Sequence, residues 1–425
     1  MPGVPSSRGC DACRRQNATS SNLPARDAPD SKSPAWDPAS AASNSKRASR
    51  ANPNPKAPAR ADFIEVLEVT DIRYDVTWYG PFLETLPRRI GSSPALDAAI
   101  GAVTSAVKGL RTGRNSPDAM TRYVKGWKAL RTCLSDPEQT KSIHTVCAIY
   151  LMMICQSWVG RPDDHFANHG EILAQILNAA LAQAGRGQFE DNMIVTLSMP
   201  VVLQSIVDPS IPVGPWFWAI AKSYEPKRPV LSNQGGPIPS LQFFVMAQIT
   251  QWLRDPALHL VEIHAAYNQL IADCVTMRAV LDKIAELDAG GDTVAQPSTR
   301  LYTRPQAAYS MLLCLALVLN IVTRIFDPNS ISLADEAADL ISETIWLAHA
   351  ADRYRPFGVS FMPVSLVMAW TATGDAVVKA VVEDILVGYE VDFPAVKWVQ
   401  TCYWMQGKYD EIRRSQLEAL FGTSC

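Results

Sequence analysis

Residues 135–158 read SDPEQTKSIHTVCAIYLMMICQSW, and this stretch decides the fold class. Asp136 stands where a helix cap belongs, and Pro137 follows at a first-turn position whose N–H has no partner to lose. Gln139, three residues after Asp136, completes a capping-box pattern. Behind these residues Ile143, Val146, Cys147, Tyr150, Leu151, Ile154 and Trp158 recur at intervals of three and four, the period of one helix face.

The same grammar extends in both directions. Upstream, Ser93-Pro94 opens a run of Leu96, Ile100, Val103, Val107 and Leu110, and Ser116-Pro117 opens Met120, Tyr123, Trp127, Leu130 and Leu134. Downstream, Ile172, Leu173, Ile176, Leu177 and Leu181 predict a helix over 165–183 that Gly185 and Gly187 stop. Further helices are expected near 190–207, 239–253, 257–287, 304–326, 332–352, 361–387 and 395–421, with Pro/Gly-rich loops at 225–239 and 287–299. Neither a sustained period-two alternation nor a fixed-length repeat interrupts the pattern. The expectation is an all-α fold, an irregular array of antiparallel helices. The segment 61–90 is transitional and broken by Pro81 and Pro87, and the apolar pattern of Phe63–Tyr79 within it reads as either a short helix or extended chain.

Composition sets the outer bounds. The chain has 425 residues, 48% hydrophobic and 19% charged, which supplies a sizeable core and excludes global disorder. Its net charge of −3 hides an asymmetry. Residues 1–60 hold ten Lys/Arg against four Asp, a net +6, and the remainder holds 29 basic and 38 acidic residues, a net −9. Residues 14–60 are crowded with Pro, Ser, Ala and Asn, with Leu23 and Trp36 the exceptions, and cannot bury enough surface to offset their ordering entropy. The domain reading is therefore a disordered basic N-terminal tail over 1–60 and a helical, acidic body over 61–425. No export signal is legible at the N-terminus. The most apolar run, 311–322 (MLLCLALVLNIV), falls short of the ~20 residues that span a bilayer and reads as a buried helix, so no membrane partner is expected. Nine cysteines, several inside apolar helical patterns, suit a reducing compartment.

The tail carries the most specific local signal, Ser7-Arg8-Gly9-Cys10-Asp11-Ala12-Cys13-Arg14-Arg15-Gln16. Two cysteines separated by two residues can ligate one zinc from a helix start, and basic residues just behind them are placed to face a DNA backbone. This run resembles the opening of the fungal binuclear zinc-cluster transcription factors. That resemblance assigns Cys10 and Cys13 to metal and Arg14 and Arg15 to DNA contact. The family uses six thiolates to hold two zinc ions. Here the third position is Ser20, Asn17, Ala18 and Thr19 stand where the family keeps basic residues, and no cysteine follows before Cys133. The match stops abruptly after Gln16, as it would if a coding segment were skipped. The cluster reads as a remnant spanning residues 8–16, and no cofactor is expected, zinc included, unless the cluster were complete.

The body resembles the fungal-specific transcription factor domain that follows the cluster in that family. The matching stretch, 96–207, contains Leu96-Asp97-Ala98-Ala99, then Tyr123, Gly126, Ala129 and Leu130, then Ser135-Asp136-Pro137, then Phe166, His169 and Gly170 followed by Ile172-Leu173. The resemblance implies a nuclear regulatory region with no catalytic residues, working in transcriptional regulation. Its partners would be proteins of the transcription machinery or a small effector, with DNA binding weak and non-specific at most. The heptads that family members often carry after the cluster are absent, because Pro24, Pro29, Pro34 and Pro38 break the linker. The run Lys46-Arg47-Ala48-Ser49-Arg50 suits an import signal or simple solubilisation by charge, and Ser49 between basic residues is a plausible phosphorylation target.

Familiar catalytic signatures are missing: no G-x-x-x-x-G-K-[ST], no G-x-G-x-x-G after a strand, no G-x-S-x-G and no H-E-x-x-H. One alternative is a metal-dependent all-α enzyme centred on Asp163, Asp164, His165 and His169. The two histidines share helical i, i+4 spacing, a workable ligand set with a carboxylate beside it. Asp163, Asp164 and Asn168 also resemble the aspartate-rich helix end of terpene synthases, whose second Mg²⁺ anchor would be Asn329, Ser332 and Glu336, one residue off that family's spacing. The simpler reading has Asp163 or Asp164 capping the 165–183 helix.

Overall fold

Proline sets the first turns of the early helices. The computed structural model describes residues 56–113, 117–160, 169–181, 187–207, 211, 213–223, 236–289 and 299–421. Pro58 sits in the first turn of α1 (Ala57–Leu67), and Pro94 and Pro117 are the first residues of α2 (Pro94–Arg111) and α3 (Pro117–Leu134). There the fixed φ of proline is already helical and its missing N–H costs nothing. Asp136 does cap, accepting from the backbone N–H of Glu138 at 3.0 Å, and the Gln139 amide donates to its second oxygen at 2.9 Å. The helix it starts, α4 (Pro137–Thr140), lasts only one turn. A second cap, Ser142, accepts from the N–H of His144 and restarts the chain as α5 (Ile143–Val159).

The remaining helices are α6 (His169–Leu181), α7 (Gln188–Val207), α8 (Pro215–Ser223), α9 (Phe243–Trp252), α10 (Leu260–Ala289), α11 (Thr299–Phe326), α12 (Ile331–Ala351), α13 (Met362–Ala372), α14 (Ala376–Asp392) and α15 (Trp398–Phe421). There is no β-strand among the described residues, so the all-α expectation holds. Among the boundaries that differ from the periodicity reading, three stand out. The helix expected over 361–387 is two, because Gly374 ends one and Asp375 caps the next, accepting from the N–H of Val377 at 2.7 Å. Helix α8 is only two turns long, too short for a period to show. The loop expected from residue 287 starts later, since α10 runs on to Ala289.

The disordered tail expected over 1–60 lies outside the described residues except for its last five positions, and there the boundary moves. Helix α1 begins at Ala57, ahead of the expected start at 61, because Phe63 and Val66 bury completely against α2 and commit the preceding turn. The apolar pattern of Phe63–Tyr79 is helical as far as Leu67, and the chain that follows is neither α-helix nor extended. It winds as three 3-10 stretches, Ile72–Tyr74, Val76–Tyr79 and Pro81–Arg89, whose starts are capped in turn by Asp71, Asp75 and Gly80. Gly80 is required at its corner: φ is +135°, and a Cβ would stand 2.7 Å from the Phe82 ring.

This strap joins the two ends of the chain. Helices α2, α3 and α5 form one cluster, and α11 with α10, α12, α13 and α15 forms another. Between them the Tyr79 ring meets Trp158 of α5 edge-on at 5.3 Å and Phe357 at 5.8 Å, while Trp158 stacks on Phe357 at 4.8 Å. Tyr150 donates to the Tyr79 carbonyl at 2.8 Å, and the Trp158 indole donates to the Tyr79 hydroxyl at 3.3 Å. Residues 54–425 accordingly gather into one compact unit.

The α1 boundary yields a measurable difference. Burying one Phe and one Val side chain is worth about 1.5–3 kcal/mol each. A chain truncated to begin at Asn54 should match the full chain in urea denaturation, whereas one beginning at Asp71 should lose about 3–6 kcal/mol. Equal stability of the two truncated chains would show that α1 contributes nothing to the core.

Candidate functional site: an interhelical polar ladder

Residues 311–322 of α11 are apolar on every side but for one amide, and a buried amide N–H needs an acceptor. Asn320, inside the run 311–322 and fully buried, donates from Nδ2 to the Leu333 carbonyl at 2.9 Å and to the Tyr267 hydroxyl at 3.0 Å. The Tyr267 hydroxyl of α10 donates in turn to Glu336 Oε2 of α12 at 2.7 Å, and Ser332 donates to Glu336 Oε1 at 2.9 Å. That is one rung across three helices. The second lies two to three turns away along the same helices. Tyr309 of α11 donates to Glu343 Oε2 of α12 at 2.9 Å, and Arg278 of α10 pairs with the same oxygen. Arg278 also binds Asp282 at 3.1 Å and lies 3.5 Å over the Trp346 ring.

Burial, reinforced by the adjoining carboxylates, pushes the Tyr267 and Tyr309 hydroxyls well above the usual tyrosine range. They remain protonated donors, and the ladder works as a register lock. Each rung costs desolvation but is satisfied only in one alignment, which is how a buried polar group fixes packing among otherwise interchangeable apolar faces. Asn320 was the readable signal, an amide standing inside twelve otherwise apolar residues; its partners Tyr267, Glu336, Tyr309, Glu343 and Arg278 lie too far apart in sequence for spacing to reveal.

A second cluster joins the strap to α5 and α7. The Arg89 guanidinium lies 3.6 Å over Phe189, 3.7 Å from Glu190 and 3.4 Å from Nε2 of His144. With Arg89 as donor, His144 Nε2 accepts and its other nitrogen carries the proton. Partial burial, then the Arg89 charge, hold the His144 pKa below the usual value.

The residues singled out from sequence distribute as follows. Cys10, Cys13, Arg14, Arg15, the basic run 46–50, Asp163, Asp164, His165 and Asn168 lie outside the described residues, and His169 is the first residue of α6. Asn329 is exposed in the turn before α12. Glu336 and Ser332 are bonded to each other and, through Tyr267, to the ladder, so this pair is engaged in holding helices together. Among the described residues no three His, Cys, Asp or Glu side chains gather as a metal group. Nor do the cysteines fit a binuclear zinc cluster, which takes six thiolates. Cys133, Cys147, Cys155, Cys274, Cys314 and Cys402 are all buried, and burial pushes the thiols of Cys155, Cys274, Cys314 and Cys402 up to about 12. Comparison with models of known protein families, with curated proteins and with solved structures finds no match.

The His144 cluster gives a pH dependence with a definite sign. Because the folded pKa is depressed, the unfolded chain takes up a proton that the folded chain resists, and stability is lost as pH falls below the ordinary histidine value of 6.5. The urea midpoint of the wild type should therefore drop more between about pH 7.5 and about pH 5.5 than that of His144→Gln. Equal drops would contradict the assignment.

Proposed function

We propose that this chain is a nuclear, transcription-factor-like regulator that works without enzymatic activity, through protein partners or a small effector engaged by its helical body. Its own DNA-reading module is incomplete. One arrangement carries this reading: the Arg8–Arg15 cluster start precedes, in sequence, an all-α unit whose resembling stretch 96–207 supplies mutually packed helices α2 to α7. Within that stretch Gly126 has a physical reason to be glycine. It lies where α3 presses on α5, and a Cβ there would come within 2.6 Å of Met152 Sδ.

Arg14 and Arg15 without a metal scaffold cannot be aimed into a major groove, so DNA contacts reduce to loose phosphate binding that falls steeply with salt. An acidic body adds repulsion. Nothing in the described residues favours the diphosphate-binding alternative, since Glu336 and Ser332 serve the ladder.

A selection for preferred DNA sequences on the full chain at physiological salt, beside an Arg14→Ala, Arg15→Ala variant, should return no motif from either. The full chain fused to an unrelated DNA-binding domain should change the output of a reporter carrying that domain's site. A defined motif from the unfused chain, or a silent fusion that is nuclear and folded, would overturn the proposal.

A further inference from the structure

Between Asp118 and Asp136 the sequence holds four basic residues and no acid. Arg122, Lys125, Lys128 and Arg131 recur every three residues along α3, and all four are exposed. Arg122 is answered within its own helix by Asp118 at 2.8 Å. Lys125, Lys128 and Arg131 have no acidic partner among the described residues. Other cations of this acidic body are met by carboxylates, as Lys108 is by Asp62 and Glu65, Arg355 by Asp392 and Lys397 by Glu390. Like charges three residues apart on a helix repel, a cost that an anion laid over them removes. Apolar surface lies among the charges. Val124, one turn from Lys128 and two from Arg131, is 59% accessible, and Leu134 beside Arg131 is 42% accessible. The opposite side of the helix, with Ala119, Tyr123, Gly126, Leu130 and Cys133, is buried and holds the strip in place.

We infer that this strip binds a short acidic segment of a partner protein, its carboxylates over Lys125, Lys128 and Arg131 and an apolar residue against Val124. The unanswered cations span about 9 Å of helix, the reach of a few residues of peptide. Duplex nucleic acid fits the strip less well. Its phosphates continue past both ends, where Asp118 on one side and Asp136 and Glu138 on the other would repel them. A phosphate backbone also makes no use of an exposed valine. Exposed charge pairs are individually weak and screened by salt, so the affinity is micromolar and falls as salt rises. The inference rests on the proposed reading of the body as a partner-binding unit. That reading is tested by a reporter and this one by direct binding, so the two fail separately.

Fluorescence anisotropy of a labelled synthetic peptide of glutamate and leucine, titrated with the full chain, tests it. Binding is expected, and it should be lost when the glutamates are replaced by glutamine. The triple variant Lys125→Glu, Lys128→Glu, Arg131→Glu puts good helix formers at exposed positions, so its circular dichroism should match the wild type. It should bind the glutamate peptide at least ~tenfold more weakly, and a lysine–leucine peptide more tightly than the wild type does. Val124→Ser should weaken the glutamate peptide about threefold. If the triple variant loses helix, Lys128→Glu alone takes its place, with an expected loss of about threefold. Equal binding by wild type and charge-reversed chain, as would follow if the basic residues of 1–60 held the peptide, overturns the inference. So does a wild-type chain that binds neither peptide, or one that binds the glutamine peptide as well as the glutamate peptide.

Discussion

The enclosure of the run 311–322 is the constraint on which the rest of the body depends. A stretch of helix apolar on all sides has no face to give to water, so it must be surrounded, and this one is: α10, α12, α13 and α15 pack around α11. Leu312, Leu313, Leu315, Leu317 and Leu319 are completely buried. Leucine contacts alone specify position poorly, because one apolar knob fits many holes. The two polar rungs remove that freedom. A one-turn slip of α12 along α11 would break the Glu336–Tyr267 and Glu343–Tyr309 bonds together and take the Leu333 carbonyl from the Asn320 amide, at a cost of about 1–3 kcal/mol for each group left unsatisfied.

The N-terminal helices depend on this core through a different chemistry. The strap 72–89 carries aromatic rings that dock on Phe357, itself positioned between α12 and α13. Arg355 anchors that connection from the other side by pairing with Asp392 at 2.6 Å and donating to the Gly388 carbonyl of α14. Edge-on and stacked rings add about 0.5–1.5 kcal/mol per pair beyond their buried area. Burial also pushes the Tyr79 hydroxyl up to about 12, so it stays protonated within the cluster. The two helical clusters are thus joined by rings and backbone carbonyls, with few charges at the junction.

Much of this was legible in the sequence where the signal was local. Pro94, Pro117 and Asp136 mark true helix starts, and the face read on α5 and the apolar run 311–322 are buried almost throughout. The failures have physical causes. A 3-10 strap such as 72–89 has no 3.6-residue period to detect, and Asp71 and Asp75 cap turns too short to leave one. The apolar period of 361–387 continues across Thr373-Gly374-Asp375, masking a stop and a start. The polar ladder joins residues up to 69 positions apart, a separation that spacing rules cannot bridge.

The surfaces of the helical body are only as well placed as the core beneath them. Helices α10 and α12, which carry the ladder, take their alignment from α11. Native-state hydrogen exchange across the chain tests that dependence most directly. The amides of 311–322 should exchange only through global unfolding, with α10 and α12 at the same free energy where the rungs cross them. Exchange of 311–322 through a local opening of lower free energy than that of α5 would contradict the account.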